Sequence, residues 1–483
     1  MKVRGVRLST QFVAIVLIAQ LGAILCLVVP WIDEIGRNDL LSVSAVGTLL
    51  FLINLLLLLQ LPQVSFASAP FIFASVMTLY MGSTSLLFWL NGYDGLAYYR
   101  ALEPGALARS TILLLVAVIS FVLGVAIAQR KSVMPQFPQR LPHGRTEKLC
   151  ALFALAVIFL SLAIIGLDTL SGGGLRPMFE GGYHDYSLQR VEGRQSRWFG
   201  AAMTWFLPIS ALTLTTIKKF QLRRMNWSDG VLFLVLSIPL IAGDRGTFLA
   251  TLAGWLCIHS AVCRNVTFLR VLAIAISVLV FVPLMQVMRT EPISNWTPSQ
   301  LTQTVIALPN EDDRFRGSYV QMAIAPFSSS QMTLMGTVMR RESGEPLRFG
   351  SDYVGAILAA IPLNSQAAPK NSQQIHDFLI PGVAGGPGFM AVAEMYINFG
   401  VLGILFGHLA LGVVTARMWT VFAFGGAKTY VLAGLIVVFY ALLIWIRNEF
   451  SGVAQLILLW SVLFVLLPAL AAPFVPWRSR QPV

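Results

Sequence analysis

Asp244 and Arg245 stand back to back in IPLIAGDRGTFLATLAGW, between two apolar runs and flanked by Gly243 and Gly246. A guanidinium offers a planar fork of donors that matches phosphate or carboxylate oxygens in pairs. A glycine on each side allows a tight turn and close approach by a ligand. Asp244 can orient the Arg245 fork, or the two can simply close the hairpin as an ion pair. If residues 186–198 are helical, Arg190, Arg194 and Arg197 fall at i, i+4 and i+7 and share a face able to hold a pyrophosphate. A solvated basic stripe at the lipid headgroups is the plain alternative. Arg289, at the start of a long polar segment, and Arg447 are further candidate phosphate ligands.

Proton transfer needs a base as well as cations. Glu394 lies in the first turns of the apolar run AVAEMYINFGVLGILFGHLALG, with Asn398 one turn on along the same face to orient it. A carboxylate between apolar walls and nearby arginines is a candidate general base; a carboxylate favoured by the helix dipole is the alternative. His376, beside Asp377, is a second candidate for acid–base work. Glu449, in IRNEFSG, is an orienting partner for Arg447 or its ion-pair mate. Tyr183 and Tyr186 suit anchoring the chain at the interface. Cys26, Cys150, Cys257 and Cys263 have neither disulfide-framework nor zinc spacing. The run Glu311, Asp312, Asp313 reads as a solvated patch, so no metal site is expected.

The surrounding elements must be membrane helices. The chain is 56% hydrophobic and 12% charged, with a mean hydropathy of +0.74. Its apolar runs are continuous rather than alternating, which selects helices over a barrel. Spans are expected near 10–29, 40–60, 66–90, 110–128, 149–167, 198–217, 228–243, 246–263, 270–288, 390–416, 430–446 and 452–475, about twelve in all. The first reads as a retained signal anchor. Residues 1–288 then hold nine spans and a first external loop at 168–197, residues 289–389 a long external loop, and residues 390–483 three spans. Loops of that length serve as lids or binding segments, and GSYVQMAIAPFSSSQMTLMGTVMRR suits lying on the bilayer or on the bundle. Gly403 and Gly407 form a small-residue packing face.

Short basic connections at 129–148 and at KKFQLRRM mark the cytoplasmic side, so both termini lie inside. The Asp244–Arg245 turn, the two long loops and the Arg447 turn then lie outside. Lys370 is the single lysine on that side, against fifteen arginines. An outer face selected for Arg over Lys suggests an anionic ligand, although pairing with lipid phosphates or acidic loops accounts for any one of them equally well.

The GDRGTF turn, and the long loop running into GGPGF and AEMYINFGVLGILFGHLALG, resemble the bacterial O-antigen polymerases, or oligosaccharide repeat-unit polymerases (Wzy-like). The resemblance implies an all-α polytopic protein of the inner membrane, similar to the multi-spanning lipid-donor (GT-C-like) glycosyltransferases. It implies inverting glycosyl transfer at the periplasmic face between repeat units carried on undecaprenyl pyrophosphate, with no metal, cofactor or nucleotide sugar, and Tyr183 and Tyr186 would then stack on sugar faces or serve as interfacial anchors. A chain-length regulator would be a protein partner, and no nucleic acid is expected. An O-antigen ligase and a lipid-linked glycan flippase are the alternatives, the flippase disfavoured because the two halves of the chain differ and its charges crowd toward one face.

Overall fold

A computed structural model describes residues 9–28, 39–91, 104–129, 145–180, 196–242, 244–263, 319–328, 330–361, 371–379, 388–424 and 429–471, with scattered residues between 267 and 303. All regular elements among them are helical. In chain order these are α1 (Thr10–Ala23), α2 (Leu40–Gln60), α3 (Ala69–Asn91), α4 (Pro104–Gln129), α5 (Arg145–Leu170), α6 (Arg176–Glu180), α7 (Arg197–Ala201), α8 (Leu207–Leu222), α9 (Trp227–Ile241) and α10 (Arg245–Cys263). There follow α11 (Tyr319–Ser328), α12 (Gln331–Glu342), α13 (Ser351–Ala360), α14 (Asn371–Leu379), α15 (Ala391–Phe424), α16 (Thr429–Trp445), α17 (Phe450–Ser461) and α18 (Leu467–Ala471), with π-helical stretches at Ile24–Val28, Ala202–Phe206 and Val462–Leu466.

Among the described residues, seven helices are long and apolar enough to cross a membrane: Leu40–Gln60, Ala69–Leu90, Gly105–Gln129, Thr146–Leu170, Trp198–Leu222, Arg245–Cys263 and Ala391–Ala423. Shorter apolar helices at Thr10–Cys26, Trp227–Ile241, Tyr430–Trp445 and Phe450–Leu466 coincide with further expected spans. The expected span at 270–288 lies mostly outside the described residues. The chain is thus a multi-pass membrane protein whose regular elements, among the described residues, are all helical.

Helix α4, apolar all round, is almost wholly buried and forms the centre of one side of the bundle, against α15, α2, α1 and α3. Its crossing with α15 is backbone on backbone. A Cβ on Gly124 would overlap the Leu409 carbonyl, and one on Gly412 the Phe121 carbonyl. Small residues permit such approach where no hydrophobic drive separates helix from lipid. On the other side, α8 is the buried hub for α16, α5, α9 and α10.

The run expected as one helix over 390–416 is not one rod. Gly400 adopts φ 65°, ψ −152°, a region essentially reserved for glycine. Beyond it the chain folds back: a Cβ on Gly403 would lie 2.5 Å from the Met395 carbonyl oxygen, and one on Gly407 2.5 Å from Met395 Sδ. A straight helix would hold those residues roughly 12 and 18 Å apart along its axis. Residues 391–399 therefore form a re-entrant segment packed on the helix that follows, and the Gly403–Gly407 face accommodates it.

The described parts of the long polar segment are largely helical. Helices α11 and α12 dock on α3 and α4 rather than on the bilayer surface. Leu334, Met335 and Val338 are buried there, and Gln331 Nε2 donates to Ser110 Oγ at 2.7 Å.

The two ends of the bundle differ in kind. At the α8–α9 turn, Asn226 and Asp229 form a capping box, with the Asp229 carboxylate also accepting from Trp255 Nε1 at 2.7 Å and pairing with buried Lys219. Helix α9 carries the chain about 22 Å from there to Asp244 at the opposite end.

Candidate active site

Asp244 ends the α9–α10 turn as a helix cap. Its Oδ1 accepts from Thr247 N at 3.2 Å and its Oδ2 from Thr247 Oγ1 at 2.7 Å. No Asp244–Arg245 ion pair occurs among the described residues, so the carboxylate expected to orient the guanidinium is engaged in starting α10. Arg245, the first residue of that helix, is 6% exposed. Next to it, Gly246 lines a narrow crevice together with Tyr80, Ile444, Arg447 and Asn448. The Arg245 turn and the Arg447 turn therefore meet at one end of the bundle.

Glu394 is 2% exposed beneath that second turn. Its Oε2 accepts from Trp445 Nε1 at 2.7 Å and from Phe450 N at 3.0 Å, bracketing residues 446–449. One turn on, Asn398 Nδ2 donates to the Glu394 carbonyl (2.8 Å) and to Asp352 Oδ2 (3.2 Å), while its Oδ1 accepts from Gly350 N (3.0 Å). Asn398 thus orients the backbone that carries Glu394 rather than its carboxylate.

The break at Gly400 frees backbone carbonyls, and the loop before α13 fills them. Arg348 N donates to the Ile397 carbonyl at 3.2 Å and Phe349 N to that of Asn398 at 2.9 Å. The Arg348 guanidinium bonds Glu345 (2.9 Å), both Asp352 oxygens (3.2 Å) and Asn371 Oδ1, and Asn371 Nδ2 returns to Asp352 Oδ2 at 3.0 Å. This knot fixes the start of α14, where Ser372 N donates to Glu449 Oε1 at 2.6 Å. His376 lies one turn further along α14 and is buried.

Glu449, unlike Glu394, borders open space. An open cleft of about 610 Å³ is lined by Trp205, Ser372, Gln373, Asn448, Glu449, Ser451 and Gln455, among others. Burial raises the Glu449 carboxyl above the ordinary glutamate value; the Ser372 N–H pulls it down, and the nearby Asp352 charge pushes it up again. A carboxylate so placed can accept a proton from a hydroxyl in the cleft. Arg447, two residues earlier, supplies positive charge at the adjoining crevice.

Arg245, Glu394, Asn398, Arg447, Glu449 and, through α14, His376 are gathered around this end. Tyr183, Tyr186, Arg190, Arg194 and Arg289 lie outside the described residues, and of Arg197 only its place at the start of α7 is described. Several of the arginines expected outside follow the plain alternative: Arg340 pairs with Glu345 at 2.7 Å, Arg348 with Glu345 and Asp352, and Arg109 with Glu342. The residues not anticipated are Arg348, Asp352, Asn371 and Trp205; the i, i+4 spacing of Arg348 and Asp352 in RFGSD was the available signal. Among the described residues, no group of three or more His, Cys, Asp or Glu side chains is close enough to hold a metal.

Over residues 10–308 and 377–472 the chain matches the family model of O-antigen polysaccharide polymerase Wzy. No curated protein and no solved structure matches it. The matched stretches include both charged turns, the re-entrant segment and all the candidate spans. With most of its length accounted for in this way, the chain belongs to the Wzy family of O-antigen polysaccharide polymerases.

Proposed function

We propose that this protein joins oligosaccharide repeat units carried on undecaprenyl pyrophosphate, at the periplasmic face of the inner membrane, by inverting and metal-independent glycosyl transfer. An acceptor hydroxyl attacks the anomeric carbon of the donor, a new C–O bond forms, and the bond from that carbon to the diphosphate oxygen breaks. The hydroxyl proton passes to Glu449. Charge developing on the departing diphosphate is held by Arg245 and Arg447, where preorganised donors are worth most. In this reading Glu394 positions the 446–449 turn from below instead of acting as the base, and His376 supports α14.

The observation that carries the reading is the juxtaposition at one short turn. Glu449 borders a cleft large enough for a sugar, and Arg447 lines the crevice reached by the Arg245 turn. The test supplies purified protein with lipid-linked repeat units and no lipid A core, and follows chain length. Lengthening by the parent protein separates a polymerase from a ligase. Glu449→Gln, at equal amounts of folded protein, is expected to lose roughly 10²- to 10⁴-fold in kcat. Parent-like chain growth by that variant would rule Glu449 out as the base.

A further inference from the structure

The rod that begins at Arg197 and ends at Leu222 is interrupted by one π-helical stretch, Ala202–Phe206. Such insertions are rare and concentrate at functional sites, because they turn the following side chains out of register with the helix face. Here the interruption has a local consequence. Residues 207–217 are buried throughout, whereas Thr204, Trp205 and Phe206 are only partly so. The Thr204 carbonyl accepts from Tyr440 Oη at 2.9 Å, which pins the widened turn to α16, and Thr204 and Trp205 line the open cleft.

Besides Trp205, the cleft is lined by carboxamides from three elements: Gln373 of α14, Asn448 of the charged turn and Gln455 of α17. Ser451 adds a hydroxyl and Glu449 a carboxylate. An aromatic face joined to several side-chain amides, each both donor and acceptor, is the chemistry that recognises a pyranose, with its C–H face and its ring of hydroxyls. The narrow crevice that shares Ile444 and Asn448 with this cleft has a different character: Arg447 stands there among mostly apolar neighbours, in a space of about 10 Å³ that admits a water and no sugar.

We propose that the 446–449 turn divides the site into two subsites. The cleft at Trp205 binds the terminal sugar of the acceptor glycan, and the donor diphosphate lies on the Arg447 side of that turn. The assignment rests on the glycosyl-transfer reading above and adds which substrate lies on which side of the turn, with Trp205 as the platform for the acceptor sugar.

The test uses a water-soluble acceptor, one repeat unit on a short alkyl glycoside, together with a lipid-linked donor, so that the two Michaelis constants separate. Trp205→Leu is expected to raise the acceptor KM by roughly three- to tenfold, with the donor KM unchanged. Trp205→Tyr keeps a stacking face and is expected to stay near the parent value, which distinguishes a lost platform from a disturbed helix. Gln455→Ala is expected to move the acceptor KM in the same direction as Trp205→Leu. An effect of Trp205→Leu on the donor KM alone, or an unchanged acceptor KM, would overturn the assignment. If the parent protein fails to extend the soluble acceptor but elongates lipid-linked units, the subsite proposal falls while the polymerase reading stands; if it elongates neither, the polymerase reading itself falls.

Discussion

Glu449 and Glu394 are both carboxylates at one end of the bundle, and their surroundings give them different work. Glu394 holds two N–H groups at a single oxygen under the aromatic pair Trp445 and Phe450, whose ring centroids are 5.2 Å apart. Glu449 borders the cleft, and its carboxyl is raised by burial. A base works only when ionised, and a raised carboxyl stays protonated to higher pH than a free one. The acid limb of a kcat–pH profile is therefore expected above the ordinary glutamate range. Replacing Asp352 with Asn removes a negative charge that favours the protonated form, so Asp352→Asn should move that limb to lower pH. A limb that moves upward, or not at all, would disconnect Asp352 from Glu449. Arg447→Ala, in turn, is expected to lower kcat by roughly 10²- to 10³-fold, read with the lipid-linked donor in excess. At this scale the sequence was legible where an ionisable residue interrupts an apolar run, since the cost of placing it there demands a reason. Arg245, Glu394, Arg447 and Glu449 stand out in that way. Arg348 and Asp352 sit in a polar segment, where a charge has no contrast, and their importance arises from partners 19 to 46 residues distant.

The least conventional element is the re-entrant segment 391–399, and its stability depends on one backbone position. A Cβ at Gly400 would meet only Leu347 Cδ2, at 3.8 Å, so space is not limiting. The penalty for Gly400→Ala comes from the backbone angles alone, of order 1–3 kcal/mol, and should appear as a lower Tm in detergent. Gly412→Ala acts differently, because its Cβ would overlap a backbone carbonyl of α4. Helices α4 and α15 would have to separate, and little folded protein is expected in the membrane fraction, compared with parent levels for an exposed-face change such as Leu402→Ala. The long helices follow from apolar length and continuity, and Gly403 and Gly407 are recognisable as a packing face. The turn at Gly400 is hidden because glycine is common in membrane helices. Only the donation of Arg348 and Phe349 N–H groups to the Ile397 and Asn398 carbonyls makes the break affordable, and that pairing joins segments the sequence keeps about fifty residues apart.

Among the described residues, two charged clusters lie at opposite ends of the bundle. Lys219 and Asp229 close one end around Trp255, and Arg245, Arg447 and Glu449 collect at the other. On the orientation proposed from the basic connections, the first end would face the cytoplasm and the second the outside, the side where the proposed donor presents its diphosphate. What the sequence alone could not supply is the convergence of the α9–α10 turn, the α16–α17 turn and the start of α14. It depends on how α8, α10 and α16 pack, and periodicity does not encode that.

The most direct test of this arrangement is labelling of single cysteines, placed in a cysteine-free background that retains polymerase activity, with a membrane-impermeant maleimide applied to spheroplasts. Asn448→Cys and Asp244→Cys should react from outside, and Met225→Cys, on the α8–α9 turn, only after the membrane is opened. Labelling of Asn448→Cys only in opened membranes, or of Asn448→Cys and Asp244→Cys from opposite sides, would contradict an outward-facing site built from these two turns.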